Sequence, residues 1–114
     1  MNSQDFKKLL ERRFERSRSV LMKKNEEYGT GQDVLESFKE QADFSMHQEP
    51  TSIGWELLVK HLYSVRRIIA EYECDDTVPS QEMIDEKFGD AINYLILLEA
   101  LFKEISLQKQ NPNE

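Results

Sequence analysis

The stretch Asp85-Glu86-Lys87-Phe88-Gly89-Asp90-Ala91-Ile92-Asn93-Tyr94, which continues into Leu95-Ile96-Leu97-Leu98 and Ala100-Leu101-Phe102, decides the fold. It places carboxylates, a lysine and an amide where a helix enters the core. Burying a neutral amide without a partner costs roughly 2 to 7 kcal/mol, and a charge costs more. A neighbouring helix, a metal ion, a polar ligand or a subunit interface must therefore compensate these groups. From Ile92 to Phe102 apolar residues encircle the helix instead of forming one narrow stripe. That pattern belongs to a central helix, or to one that buries a second face against another subunit, and a homo-oligomer (a dimer or higher) is the expectation.

The rest of the chain is read outward from this helix. With 114 residues there is room for one domain and a real core. Only four Gly and three Pro, with 32% charged residues of mixed sign, favour helices over a turn-rich β fold, so the predicted class is all-α. A first helix runs from a cap at Asn2 or Ser3 to Tyr28, with Phe6, Leu9, Leu10, Phe14, Leu21 and Met22 inward and Arg12, Arg13, Arg16 and Arg18 in water. Gly29-Thr30-Gly31 breaks it. A second helix is expected from the cap Asp33 to Met46, with Val34, Leu35, Phe38 and Ala42 buried. After a turn at His47 to Pro50, a third runs from Thr51 or Ser52 through Tyr72 on a buried stripe of Leu58, Leu62, Val65, Ile69 and Tyr72. Ser80 caps the fourth, which reaches about Leu107. The expectation is a four-helix bundle in a single domain over residues 1–108, with 109–114 as a disordered polar tail.

Charge and cysteine usage narrow the function classes. Fifteen Lys plus Arg against 22 Asp plus Glu give a formal charge of -7, which opposes nonspecific attraction to nucleic acid or an anionic membrane. The lone Cys74 excludes an internal disulfide and a cysteine-based zinc site, so a reducing cytoplasm is expected. No apolar signal core or membrane-length apolar run is present.

Three constellations could carry chemistry. On a helix, Glu86, Asp90 and Asn93 or Tyr94 share a face, and oxygen donors so spaced suit Mg²⁺; equally, Lys87 could neutralise a neighbouring acid on a solvated face. Lys60, Ser64 and Arg67 line one side of the third helix beside His61 and suit phosphate oxygens, unless they simply pair with nearby acids. Tyr28 and Gly29, after Lys23 and Lys24, match no nucleotide loop, while Tyr28, Tyr94 and other aromatic residues could stack a base or belong to the core.

Taken together, Lys24-x-x-x-Tyr28-Gly29, Phe38-Lys39, Lys60-His61 with Ser64, and the block from Asp85 to Tyr94 resemble a set of small tailed-phage proteins over about residues 3 to 105. These are similar to the nucleotide modification associated domain and, more distantly, to the MazG-like all-α nucleoside triphosphate pyrophosphohydrolases. The resemblance implies a helical dimer or tetramer with acidic clusters on two helices holding Mg²⁺, and water attacking between the α- and β-phosphates. This chain departs from that pattern. Where the class has Glu-Glu-x-x-Glu it has Trp55-Glu56-Leu57-Leu58-Val59-Lys60, and Lys87 stands where the glutamate of Glu-x-x-Asp belongs. A cation that promotes phosphoanhydride cleavage needs several oxygen ligands, and lysines in their place favour holding over cutting.

The leading expectation is a noncatalytic phage-type nucleotide-binding protein, a sponge acting against host defence in the host cytoplasm. It would hold the ligand between helices or subunits through Tyr28, Lys60, His61, Ser64, Lys87, Asp90, Asn93 and Tyr94. The alternatives are a Mg²⁺-dependent pyrophosphohydrolase using Glu56, Glu86 and Asp90, and a helical interaction module acting on a host protein, with its buried polar groups fixing a dimer register.

Overall fold

A computed structural model of the chain describes the backbone of residues 1–28, 33–46 and 48–110, and the side chains of these residues except 24–28. The described residues form four α-helices and no strand: α1 (Ser3–Tyr28), α2 (Glu36–Phe44), α3 (Pro50–Asp75) and α4 (Gln81–Gln110). The expected break at Gly29-Thr30-Gly31 and residues 111–114 of the tail expected over 109–114 lie outside the described residues, while Lys109 and Gln110 of that tail are helical.

Local chemistry sets the helix ends. Asn2 Oδ1 accepts from the Asp5 amide at 2.8 Å and Ser80 Oγ from the Met83 amide at 3.1 Å, so both predicted caps satisfy an otherwise unpaired N–H. Asp33 does not cap α2 directly. Its Oδ1 accepts from the Leu35 amide in a short turn, and the helix starts at Glu36. Pro50 occupies the first turn of α3, where its missing N–H costs nothing, and the left-handed Asp76 (φ 56°) ends that helix three residues past Tyr72. α4 runs to Gln110, beyond the expected stop at Leu107.

Packing is a row in the order α2, α3, α4, α1. α3 makes the most extensive contact with α4, α2 covers α3, and among the described residues α1 packs on α4 alone. Leu35 at the start of α2, Phe38 and Ala42 within it, Ile53 of α3 and Leu101 of α4 form the buried core, with Leu57, Tyr94, Leu97 and Leu98 against it. A Cβ on Gly54 would lie 3.1 Å from Leu98 Cδ1, so α3 and α4 approach closely at this point. That contact sets the phase of α3. Ile53, Gly54, Leu58 and Ile68 are buried, whereas Leu62, Ile69 and Tyr72 of the predicted stripe are exposed. Lys39 of α2 reaches Glu104 of α4 at 2.7 Å and also pairs with Asp33, which raises the lysine pKa and lowers that of Asp33.

The row leaves much apolar surface open. Phe6, Leu9, Phe14 and Met22 of α1, predicted inward, are about half exposed or more, as are Leu95 and Phe102 of α4. The radius of gyration is 17.1 Å, against about 13 Å for a compact chain of this length. Among the described residues no helix is long and apolar enough to cross a membrane.

Leu101 is 2% exposed at the centre of the core. Leu101→Ala is therefore expected to destabilise the protein by about 2–5 kcal/mol in urea unfolding. A loss below about 0.5 kcal/mol, the level of an ordinary surface change, would contradict this core.

Candidate functional site

Between α1 and α4 lies a polar recess of about 280 Å³. α1 contributes Arg13, Arg16 and Ser17, and α4 contributes Glu82, Asp85, Glu86, Gly89, Asp90 and Asn93. The spacing of the α4 residues explains the lining, since Glu82, Glu86, Asp90 and Asn93 recur every three or four positions and share one helix face.

The arginines of α1 build the recess. Arg12 grips the Asp85 carboxylate with two nitrogens, at 2.7 and 2.8 Å, and Arg16 approaches the same group at 3.7 Å. Gln81 adds a 2.9 Å hydrogen bond. These donors, Arg12 first and then Gln81, hold the Asp85 carboxyl well below the usual carboxylate range. Arg13 lies across α4 and donates weakly to the backbone carbonyls of Asp85 and Ile84, at 3.3 and 3.4 Å. Gly89 makes room for it, because a Cβ there would sit 2.8 Å from Arg13 Nη1. The expectation that Arg12, Arg13 and Arg16 merely point into water is thus corrected, although Arg12 and Arg16 keep nearly half their side-chain surface exposed.

Among the described residues two polar groups on the walls have no partner. Ser17 is 4% exposed and Asn93 8%, and neither Ser17 Oγ nor Asn93 Oδ1 finds a hydrogen bond there. Leaving a buried donor or acceptor unsatisfied costs about 1–3 kcal/mol, so such atoms mark a place that water or a ligand completes.

The other predicted residues are divided between this recess and the far side of α4. Asp90 joins the two, because it lines the recess while its Oδ2 lies 3.7 Å from His61 Nδ1. The His61 ring stacks on Tyr94, with centroids 4.7 Å apart and planes at 24°, and Phe38 meets Tyr94 edge-on at 6.3 Å. Tyr94 therefore already carries an aromatic neighbour on one face. Ser64 and Lys87 line a separate recess of about 260 Å³ between α3 and α4, with Arg67 and Glu71, which pair at 3.6 Å. Lys60 is exposed on α3. The Tyr28 side chain lies outside the described residues.

Ser17, Arg13, Arg16 and Glu82 were not singled out from sequence. The available signal was Ser17 itself, a small hydroxyl in the apolar register between Leu10 and Leu21.

The residues fit a catalytic Mg²⁺ poorly. Asp85 is already neutralised by arginine, and Lys87 Nζ stands 3.4 Å from Glu86 Oε1. Among the described residues no three His, Cys, Asp or Glu side chains converge as a metal site requires.

Because folding lowers the Asp85 pKa, its contribution to stability is complete above the unfolded value of about 3.9 and disappears as pH falls through the folded value. The urea midpoint should therefore drop on acidification below about pH 4. Asp85→Asn should be less stable at neutral pH and show a shallower acid limb. A variant whose acid limb runs parallel to the parent's would contradict the arginine clamp.

Comparison with protein-family models, curated proteins and solved structures found no match to the chain.

Proposed function

We propose that the protein binds a nucleotide, or a signal molecule derived from one, and holds it without cleaving it, as a phage-type sponge would. The observation that carries this reading is the pair of buried, unpartnered groups, Ser17 Oγ and Asn93 Oδ1, on the walls of a small polar recess. A cavity with a few convergent polar groups is the usual form of a small-molecule site. In this reading the α1/α4 recess takes the base or sugar, whose N–H and O–H donors suit its carboxylates. Phosphates lie toward Lys60, Ser64 and Lys87, where hydroxyl and ammonium groups offer donors. His61 orients Asp90 between the two. Holding is favoured over hydrolysis because Asp85 is committed to arginine and Lys87 stands beside Glu86.

A second copy of the chain completes the molecule, in a MazG-like helical assembly. On the other flank of the α1/α4 contact an apolar groove of about 680 Å³ is lined by Leu9, Leu10, Ile84, Phe88 and Ile92. Arg13 and Arg12 edge this groove too, so Arg13 separates the polar flank from the apolar one. An apolar groove beside the largely exposed Phe6, Leu9 and Phe14 of the same helix suits an interaction surface, and a stable dimer needs about 800 Å² from each partner. An isologous pairing would bring the same groove from both copies together.

Sedimentation at micromolar concentration should show a dimer or higher species, and Phe88→Asp should shift it to monomer while the far-ultraviolet spectrum stays helical. A parent that remains monomeric at high concentration would contradict the assembly.

Native mass spectrometry of protein purified from cells, followed by calorimetry with a nucleotide panel, tests the function. We expect a retained nucleotide mass, and in Asn93→Ala a weakening of roughly 5- to 150-fold, the equivalent of about 1–3 kcal/mol. The absence of binding across the panel would overturn the reading.

A further inference from the structure

The α1/α4 recess has a chemical bias, and it rests on the nucleotide reading above. Its uncommitted groups are mostly acceptors. Glu82 presents a carboxylate, Glu86 and Asp90 present theirs with only Lys87 at 3.4 Å and His61 at 3.7 Å against one oxygen each, and Asn93 adds a carbonyl oxygen with no partner among the described residues. On the opposite wall Arg13 donates weakly to the carbonyls of Ile84 and Asp85, and Arg16, half exposed, faces the Asp85 carboxylate at 3.7 Å. A phosphate placed here would meet several carboxylates, so the occupant must bring N–H or O–H donors and little negative charge. At about 280 Å³ the recess falls just below the range of roughly 300–1,000 Å³ for ligand sites, enough for one ring system and too little for a whole nucleoside triphosphate.

We propose that this recess is a base subsite selective for guanine, in which the Asp90 carboxylate accepts from the ring N1–H and the 2-amino group and Asn93 Oδ1 accepts the remaining amino hydrogen. Among the common bases, guanine alone presents two adjacent donors that one carboxylate can accept side by side. Adenine and cytosine each set one amino group beside a ring-nitrogen acceptor, and uracil flanks its single N–H with two carbonyls. Each of these would direct a lone pair at a carboxylate, and such repulsion discriminates more strongly than the mere loss of a bond. Asp90 suits the role because its other neighbour, His61, is itself fixed by stacking on Tyr94. Asn93 follows one turn later on the same helix face.

The test is calorimetry on the full chain with the monophosphates of guanosine, inosine and adenosine. Inosine keeps N1–H and lacks only the 2-amino group. Guanosine monophosphate should bind tightest, inosine monophosphate about 10-fold more weakly, and adenosine monophosphate roughly 100-fold or more weakly. Asp90→Asn, nearly equal in volume, should collapse the guanosine-to-adenosine ratio, whereas Lys60→Ala should weaken all three alike. Thermal melting of each variant separates loss of binding from loss of fold. Equal affinity for all three ligands would overturn the guanine subsite and leave nucleotide binding standing, as would a guanine preference unchanged in both Asp90→Asn and Asn93→Ala. If none of the three, nor any other nucleotide, binds, the nucleotide reading fails and takes this subsite with it.

Discussion

The arginine clamp of α1 on α4 is the contact on which the rest of the site depends. Among the described residues α1 touches no other helix, and what holds it there is the two-pronged grip of Arg12 on Asp85, with Arg13 laid across Gly89. Apolar burial contributes little along this seam, since most of the large apolar residues of α1 stay half exposed. A charge-assisted pair with two parallel hydrogen bonds fixes geometry as well as adding energy. It therefore sets the spacing between the helices, and that spacing leaves a polar recess on one flank and an apolar groove on the other.

The two flanks differ in chemical character. The apolar groove offers area without direction, which suits association with a second copy. The polar recess offers direction without much area, through the carboxylates and the Asn93 carbonyl oxygen on its walls. Asp90 and His61 link this recess to the α3 side, where Lys60 and Ser64 stand. The acidic groups that suggested a metal cluster serve other ends: Asp85 anchors α1, and Glu86 stands next to Lys87.

Much of this was legible in the sequence, and the exceptions have physical causes. The caps at Asn2 and Ser80, the four helices and the shared face of Glu86, Asp90 and Asn93 follow from short-range rules that a single helix obeys by itself. Which helix that face would meet did not follow, because the apolar stripes of α1 and α3 have equal claims on α4. The stripe of α3 was misphased because the close approach at Gly54, which depends on Leu98 and Leu101 far along the chain, selects Ile53 and Ile68 over Ile69 and Tyr72. Arg13 was assigned to water because its place exists only where Gly89 lacks a side chain. Ser17 carries no charge and little bulk, so its importance shows only as a missing hydrogen bond.

The central claim is that an outside molecule completes the recess where Ser17 and Asn93 stand unpaired. Its most direct test follows the Asn93 side-chain amide by nuclear magnetic resonance while nucleotides are titrated into isotopically labelled protein. This signal and the Ser17 backbone amide should shift together and saturate at one ligand concentration. Shifts confined to α3, or an Asn93 signal unmoved while a nucleotide binds elsewhere, would contradict it.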